Sequence, residues 1–285
     1  MNVTANTDNM GAATGVTASV TAAVEQKLIQ LKLSRLREVY PQWVKEAEVR
    51  QLSYLEFLDG LLAEEVVGRQ ENQMRRQLKA AGFPFAATLE QFDFSLHPEL
   101  KRAVMVRFFD RTFVEQAQSL VLVGASGLGK THLAIALGTK LVQLGYRVRF
   151  VTAQALANDL VSAPNRAAVT AVLQPLMRCD LLILDEFGYL PVDPQIGPAL
   201  YELAAARYER RATVITSNKS LREWGDLVGG DSALMMAILD RLLHRGEVFY
   251  LRGASYRMRG KEALLMGQLG GEYSQLHNQV VADVG

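Results

Sequence analysis

GASGLGKTH, Gly124 to His132, decides how this chain is read. Gly124, Gly129, Lys130 and Thr131 fall at the G-x-x-x-x-G-K-[ST] spacing of a phosphate loop. The apolar run LVLVG (Leu120 to Gly124) precedes the motif and an Ala/Leu-rich segment follows it, which is the strand-then-helix context the pattern requires. Ala125, Ser126, Gly127 and Leu128 supply successive backbone N–H groups, and the glycines let those groups turn inward on a nucleotide phosphate. The start of the following helix adds partial positive charge. In that arrangement Lys130 reaches the β- and γ-phosphates of ATP and the Thr131 hydroxyl ligates Mg²⁺, with His132 as the next helical residue of the binding run.

Outward from the loop, short apolar or β-branched runs alternate with helical segments: VRFVT (Val148 to Thr152), LLILD (Leu181 to Asp185), ATVIT (Ala212 to Thr216) and EVFYL (Glu247 to Leu251). With LVLVG they predict an α/β fold whose five-stranded parallel sheet is covered by helices on both faces. Asp185 ends the LLILD strand at the carboxyl edge, where such sheets present their ligands, and Glu186 follows it directly. Two adjacent carboxylates allow a division of labour, Asp185 as a metal anchor and Glu186 as the base that polarises water. This pairing favours an ATP hydrolase over a small-molecule kinase. Asn218, after Thr216 and Ser217, offers an amide to orient that water, although Ser-Asn is also ordinary turn chemistry. Arg241 in ILDRLLHRG and Arg257 and Arg259 in ASYRMRG are cations beyond the fourth strand, and by spacing alone such residues are commonly solvated or ion-paired.

The rest of the chain sets the bounds. Its 285 residues are 49% hydrophobic and 21% charged with net charge +1, a soluble globular composition whose overall charge argues neither for nor against nucleic acid. The single cysteine, Cys179, forms no internal disulfide and reads as a buried thiol in a reducing compartment. No apolar run reaches the ~18 residues of a membrane span and the start lacks an export pattern, so a cytoplasmic location is expected. Residues 1–24, rich in Ala, Thr, Val, Asn and Gly, read as a disordered tail. Residues 25–81 read as a helical domain: Leu28, Leu31, Leu36, Val39 and Trp43 recur near helical spacing until Pro41 perturbs the run. Ser53 and Glu56 form a capping box ahead of Phe57, Leu58, Leu61, Leu62 and Val66, and the polar continuation from Arg69 to Lys79 suits a bridge or a charged partner. Residues 82–118 read as a connector, 119–260 as the nucleotide-binding core and 261–285 as a C-terminal tail.

Taken with LLILDEFGYLP, YERRATVITSN, EWGDL, ILDRLLHR and SYRMR, the loop closely resembles the IstB-like ATPases, helpers of insertion-sequence transposition. That family belongs with DnaC-type helicase loaders to the initiator branch of the AAA+ ATPases. The resemblance covers Leu89 to Arg259 strongly, and Glu25 to Lys79 looks like the family's N-terminal domain. It implies an AAA+ core after a small helical domain, Asn218 as first sensor, Arg241 as an arginine finger reaching a neighbouring subunit's ATP, and Arg257 as second sensor. It also implies a homo-oligomeric ring or spiral, duplex DNA and the transposase of the same element as partners. Phe92 and Phe94 fall in the segment that lines the adenine pocket in this class, or else form a staple between domains. DNA contact has two candidate clusters, Arg69, Arg75, Arg76 and Lys79, and the pair Arg166 and Arg178. Without a helix-turn-helix or zinc pattern, backbone-led binding is expected. A helicase loader on single-stranded DNA and a non-hydrolysing ATP-clamped scaffold are the rival readings; Glu186 argues against the second, since a clamp needs no base.

Overall fold

A computed structural model of the chain describes residues 9–188, 193, 196–226, 231–253 and 256. Two compact units emerge, Met1–Arg76 and Gln77–Gly285.

The first unit is helical: α1 (Asn9–Gln30), α2 (Ser34–Arg50) and most of α3 (Tyr54–Ala81). Leu28, Leu36 and Leu61, one from each helix, form its buried centre, with Val39, Trp43 and Phe57 packed around them. α1 takes in residues 9–24, which composition predicts to be disordered, and so corrects that expectation. The stretch has neither proline nor a charged side chain, and alanine, the strongest helix former, recurs at Ala12, Ala13, Ala18, Ala22 and Ala23. A helix anchored at buried Leu28 therefore extends toward the N-terminus without a new nucleus. α2 likewise continues through Pro41 to Arg50. Proline removes the donor to the Arg37 carbonyl there without ending the helix, and Gly60 of α3, whose added Cβ would stand 2.2 Å from Trp43 Cη2, lets that indole lie close against the neighbouring helix. At the start of α3, Glu56 Oε2 accepts from the Ser53 N–H at 2.8 Å and Ser53 Oγ accepts from the Glu56 N–H at 3.3 Å, the reciprocal capping box. The Ser53 hydroxyl, which donates to Glu56 Oε2 at 2.7 Å, and the Ser53 backbone N–H hold the Glu56 carboxyl below its ordinary range. Farther along α3, Arg69 pairs with Glu65 at 2.9 Å, whereas Arg75, Arg76 and Lys79 are exposed.

The second unit begins with two 3-10 turns, Leu89–Gln91 and Phe94–Leu96, and two short helices, α4 (Arg102–Val106) and α5 (Arg111–Glu115). Met105, Phe108 and Phe113 from this stretch are buried, so residues expected to serve as a connector contribute to the interior. Then strands and helices alternate: β1 (Ser119–Gly124), α6 (Lys130–Gln143), β2 (Val148–Thr152), α7 (Ala153–Val161), α8 (Arg166–Arg178), β3 (Leu181–Asp185), α9 (Ile196–Arg207), β4 (Ala212–Ser217), α10 (Ser232–Leu243) and β5 (Gly246–Leu251). All five strands are parallel, in the order β2-β3-β4-β1-β5.

Strand alternation divides the core between two faces. Val121, Val123, Leu182, Leu184 and Ile215 pack on the buried residues of α7, α8, α9 and α10. Ile183 points the other way, toward α6, where an added Cβ on Gly138 would lie 2.9 Å from its Cδ1 and 2.8 Å from Phe83 Cζ. Burial on both faces is why the centres of β1 and β3 read as continuous apolar runs and why β4 is β-branched throughout its buried middle. The buried guanidinium of Arg207 fastens the amino edge of this layer, donating from Nη1 to the carbonyls of Leu176 at 2.6 Å and Cys179 at 3.0 Å, from Nε to Thr213 Oγ1 at 3.1 Å, and from Nη2 to the Ala212 carbonyl. Burial lowers its affinity for the proton and pushes the neighbouring Cys179 thiol up. Cys179 is thus the buried thiol expected from sequence.

Candidate nucleotide-binding site

Because every strand runs the same way, the ends of β1, β3 and β4 meet at one edge of the sheet. The sheet order puts β4 between β1 and β3, so the loop after β1 and the acids after β3 converge across the end of β4.

The loop itself is set by three glycines with positive φ, Gly124 (156°), Gly127 (84°) and Gly129 (81°). Gly129 caps α6, whose first turn contains Lys130 and Thr131. A Cβ at Gly129 would sit 2.6 Å from Phe92 Cε2, so the absence of a side chain is also what brings the Phe92 ring onto the loop. The buried Lys130 amine donates to the carbonyls of Gly124 and Ala125 at 2.7 and 2.8 Å. The Thr131 hydroxyl donates to Asp185 Oδ1 at 2.9 Å, joining the start of α6 to the end of β3. Thr216, from β4, donates to the same oxygen at 2.5 Å and accepts the backbone N–H of Glu186 at 3.0 Å. Glu186 adopts a left-handed conformation (φ 57°), unusual for a residue with a side chain. Its neighbour Phe187 donates its N–H to the Thr216 carbonyl at 2.8 Å and buries its ring edge-on against Trp224. Trp224 in turn donates from Nε1 to Ser217 Oγ at 3.1 Å, which fixes the chain just before Asn218.

Above the loop lies a cavity of about 300 Å³. Ser126, Gly127, Leu128, Gly129, Lys130, Thr131 and His132 line its floor, and Glu186, Thr216 and Asn218 line one side. Phe92 stacks on buried His97 with ring centroids 5.4 Å apart, and the His97 Nδ1–H donates to the Arg252 carbonyl at 3.1 Å. Phe94 does not line the cavity; it packs edge-on behind Phe92 at 4.8 Å, which corrects its expected place in the pocket wall. Gly124, Ala125 and Asp185 act from just beneath, through the Lys130 and Thr131 contacts. The remaining wall comes from Phe85, Gln91, Asp93, Leu96, His97 and Tyr256, with the Tyr256 N–H donating to the Gly127 carbonyl at 3.0 Å.

Arg241 stands apart. On α10, its guanidinium lies over the Tyr201 ring at 4.6 Å and donates to the Ala237 carbonyl at 2.8 Å, and it is not among the cavity-lining residues. Arg257 and Arg259 lie outside the described residues. Of the second candidate DNA cluster, Arg166 is paired with Glu202 and Arg178 is exposed. Reading by motif missed Thr216, His97 and Tyr256. Thr216 ends the ATVIT run two residues before Asn218, but a threonine at a strand end carries no mark of which neighbour it bonds.

A phosphate loop opening the first helix of a 5-1-4-3-2 parallel sheet, with an acidic strand end two strands away, defines a nucleotide-binding protein of the AAA+ class. The chain belongs to the IstB-like ATP binding protein family, whose model matches residues 26–263. It is 39% identical over 238 residues to the Insertion sequence IS21 putative ATP-binding protein of Pseudomonas aeruginosa, covering 84% of this chain and 89% of that one. It is 36% identical over 232 residues to the Insertion sequence IS5376 putative ATP-binding protein of Geobacillus stearothermophilus, covering 81% and 92%. Among solved structures, DnaI matches in fold with a TM-score of 0.51 at 20% identity, over 66% of this chain and 98% of that one. Among the described residues no helix is long and apolar enough to cross a membrane.

Proposed function

We propose that the chain is a Mg²⁺-dependent ATPase that assembles on duplex DNA and assists the transposase of its insertion sequence. One observation carries the hydrolytic part: Glu186 lines the cavity beside the phosphate loop, while the adjacent Asp185 is tied to Thr131 beneath it. The oxygen donors available there, one carboxylate and one hydroxyl, suit Mg²⁺, which takes few protein ligands and keeps water and phosphate for the rest. Thr131 and Asp185 would hold it, and bound there it would neutralise charge on the phosphates.

In this reading Lys130 exchanges its two loop carbonyls for the β- and γ-phosphate oxygens when nucleotide enters. Asn218 orients a water against the γ-phosphorus and Glu186 accepts its proton as the new P–O bond forms and the bond to the ADP oxygen breaks. Phe92, backed by His97, presents an aromatic face to the base. Arg241 acts on the ATP of a neighbouring copy, worth about 10³ to 10⁵ in rate where such a finger is supplied in trans, and Arg257 serves as the second sensor. The names of the insertion-sequence relatives support the transposition role; duplex contact is backbone-led, with exposed Arg75, Arg76 and Lys79 as one candidate surface.

The test is binding of the purified chain to matched duplex and single-stranded DNA with ATP, with ADP and without nucleotide, at one salt concentration. Cooperative, ATP-dependent preference for duplex is expected, and Lys130→Ala should abolish its ATP dependence. Preference for single strands would overturn the duplex reading in favour of a helicase loader.

A further inference from the structure

We infer that Thr216 is a positioning residue that sets the geometry of both carboxylates, fixing Asp185 through its hydroxyl proton and Glu186 through its lone pair. The inference rests on the ATPase reading of the site. A hydroxyl has one proton to give. Asp185 Oδ1, a pure acceptor when ionised, takes that proton at 2.5 Å, which leaves the oxygen's lone pairs for the Glu186 N–H at 3.0 Å. The two bonds thus have a single consistent direction. The bond to Asp185 is also shielded, since Thr216 is 1% exposed and Asp185 4% exposed, so water offers it no ready substitute partner.

Each bond has a distinct consequence. With Thr131 donating to the same Asp185 oxygen, two hydroxyls, one from the start of α6 and one from the end of β4, lock that carboxylate into one orientation. Glu186 is held in its left-handed turn by main chain and side chain of a single residue, because the Thr216 carbonyl also accepts from the Phe187 N–H at 2.8 Å. That turn is what directs Glu186 into the cavity while Phe187, next along the chain, is buried against Trp224. The sheet order makes the arrangement possible: β4 lies between β1 and β3, and the register pairs Leu122 with Thr216 on one side and Leu184 with Ile215 on the other. Thr216 is therefore at the level of the strand ends where both the loop and the acids begin.

The experiment compares Thr216→Val, which keeps the shape and deletes the hydroxyl, with Thr216→Ser, which keeps the hydroxyl. ADP affinity with and without Mg²⁺, kcat and KM for ATP, and the melting temperature are measured on the full chain. Thr216→Val should leave metal-free ADP affinity and KM within about threefold of the parent, lower kcat at least about tenfold, and shrink the gain in ADP affinity on adding Mg²⁺ at least about threefold. Thr216→Ser should restore both. Should Thr216→Val fail to fold, Thr216→Ala against Thr216→Ser isolates the hydroxyl, since both lack the methyl group. Folded Val or Ala variants with parental kcat and parental Mg²⁺ response would overturn the inference, as would a Ser variant as impaired as Val. A parent that binds ADP but never turns over ATP sinks the hydrolytic reading alone, because the Mg²⁺ response still decides Thr216. A parent indifferent to nucleotide or to Mg²⁺ overturns both.

Discussion

Gly124→Ala tests whether the phosphate loop is shaped by its fit to the last strand as well as by backbone freedom. Gly124 ends β1 opposite Leu251 of β5, with φ 156°, and an added Cβ would stand 2.4 Å from the Leu251 carbonyl oxygen. That oxygen belongs to a paired strand and cannot swing aside as a side-chain tip would. Gly145, after α6, is the matched control: its φ is 94°, yet an added Cβ meets nothing within 4 Å. Gly145→Ala should therefore cost only the positive-φ penalty, about 1–2 kcal/mol. Gly124→Ala adds overpacking against fixed backbone, about 1–3 kcal/mol more. At roughly 2–4 °C per kcal/mol for a domain of this size, Gly124→Ala should melt lower than Gly145→Ala by roughly 2–12 °C. Differential scanning calorimetry of parent and both variants, without nucleotide, reads the difference directly. Equal melting temperatures would refute the steric argument, and a Gly145→Ala variant that is the weaker of the two would reverse it.

Arg207→Met removes donors from the buried carbonyls of Leu176, Cys179 and Ala212 and should destabilise by about 3–5 kcal/mol, with Arg207→Lys recovering less than half; chemical denaturation giving a loss under about 1 kcal/mol would contradict this. Asp180 is pushed up by burial, but Arg147, bonding through its backbone N–H, Nε and Nη2, together with Arg211, brings its carboxyl below the ordinary value. Its stabilising contribution is thus complete above about pH 4 and is lost as pH falls through the depressed folded value. The stability gap between parent and Asp180→Asn should be widest near neutrality and narrow in acid; a gap that widens below about pH 4 in denaturant titrations would have the wrong sign.

The sheet strands were legible because two-sided burial selects apolar runs such as LLILD, which coincides with β3, and because β-branched and aromatic residues mark the half-buried VRFVT, which coincides with β2. The phosphate loop was legible because its chemistry is local: glycines with positive φ, a lysine and a hydroxyl at fixed spacing on one turn. Capping at Ser53 was legible for the same reason. Residues 9–24 misled because small side chains with little to bury lower the expectation of order, while an alanine-rich helix extending from a packed neighbour needs no apolar face of its own. What only the tertiary structure decided was everything that depends on strand order. Sequence places β4 after β3, but the fold inserts it between β3 and β1, and this turns Thr216 from a strand-end threonine into a bond between Asp185 and Glu186. It likewise brings His97 and Arg252 together from 155 residues apart along the chain, so that the ring backing Phe92 is held by the Arg252 carbonyl, while Phe94 turns out of the cavity. A motif encodes contacts within a turn; contacts across a sheet follow from how helices on both faces must be covered, and no short stretch of residues carries that information.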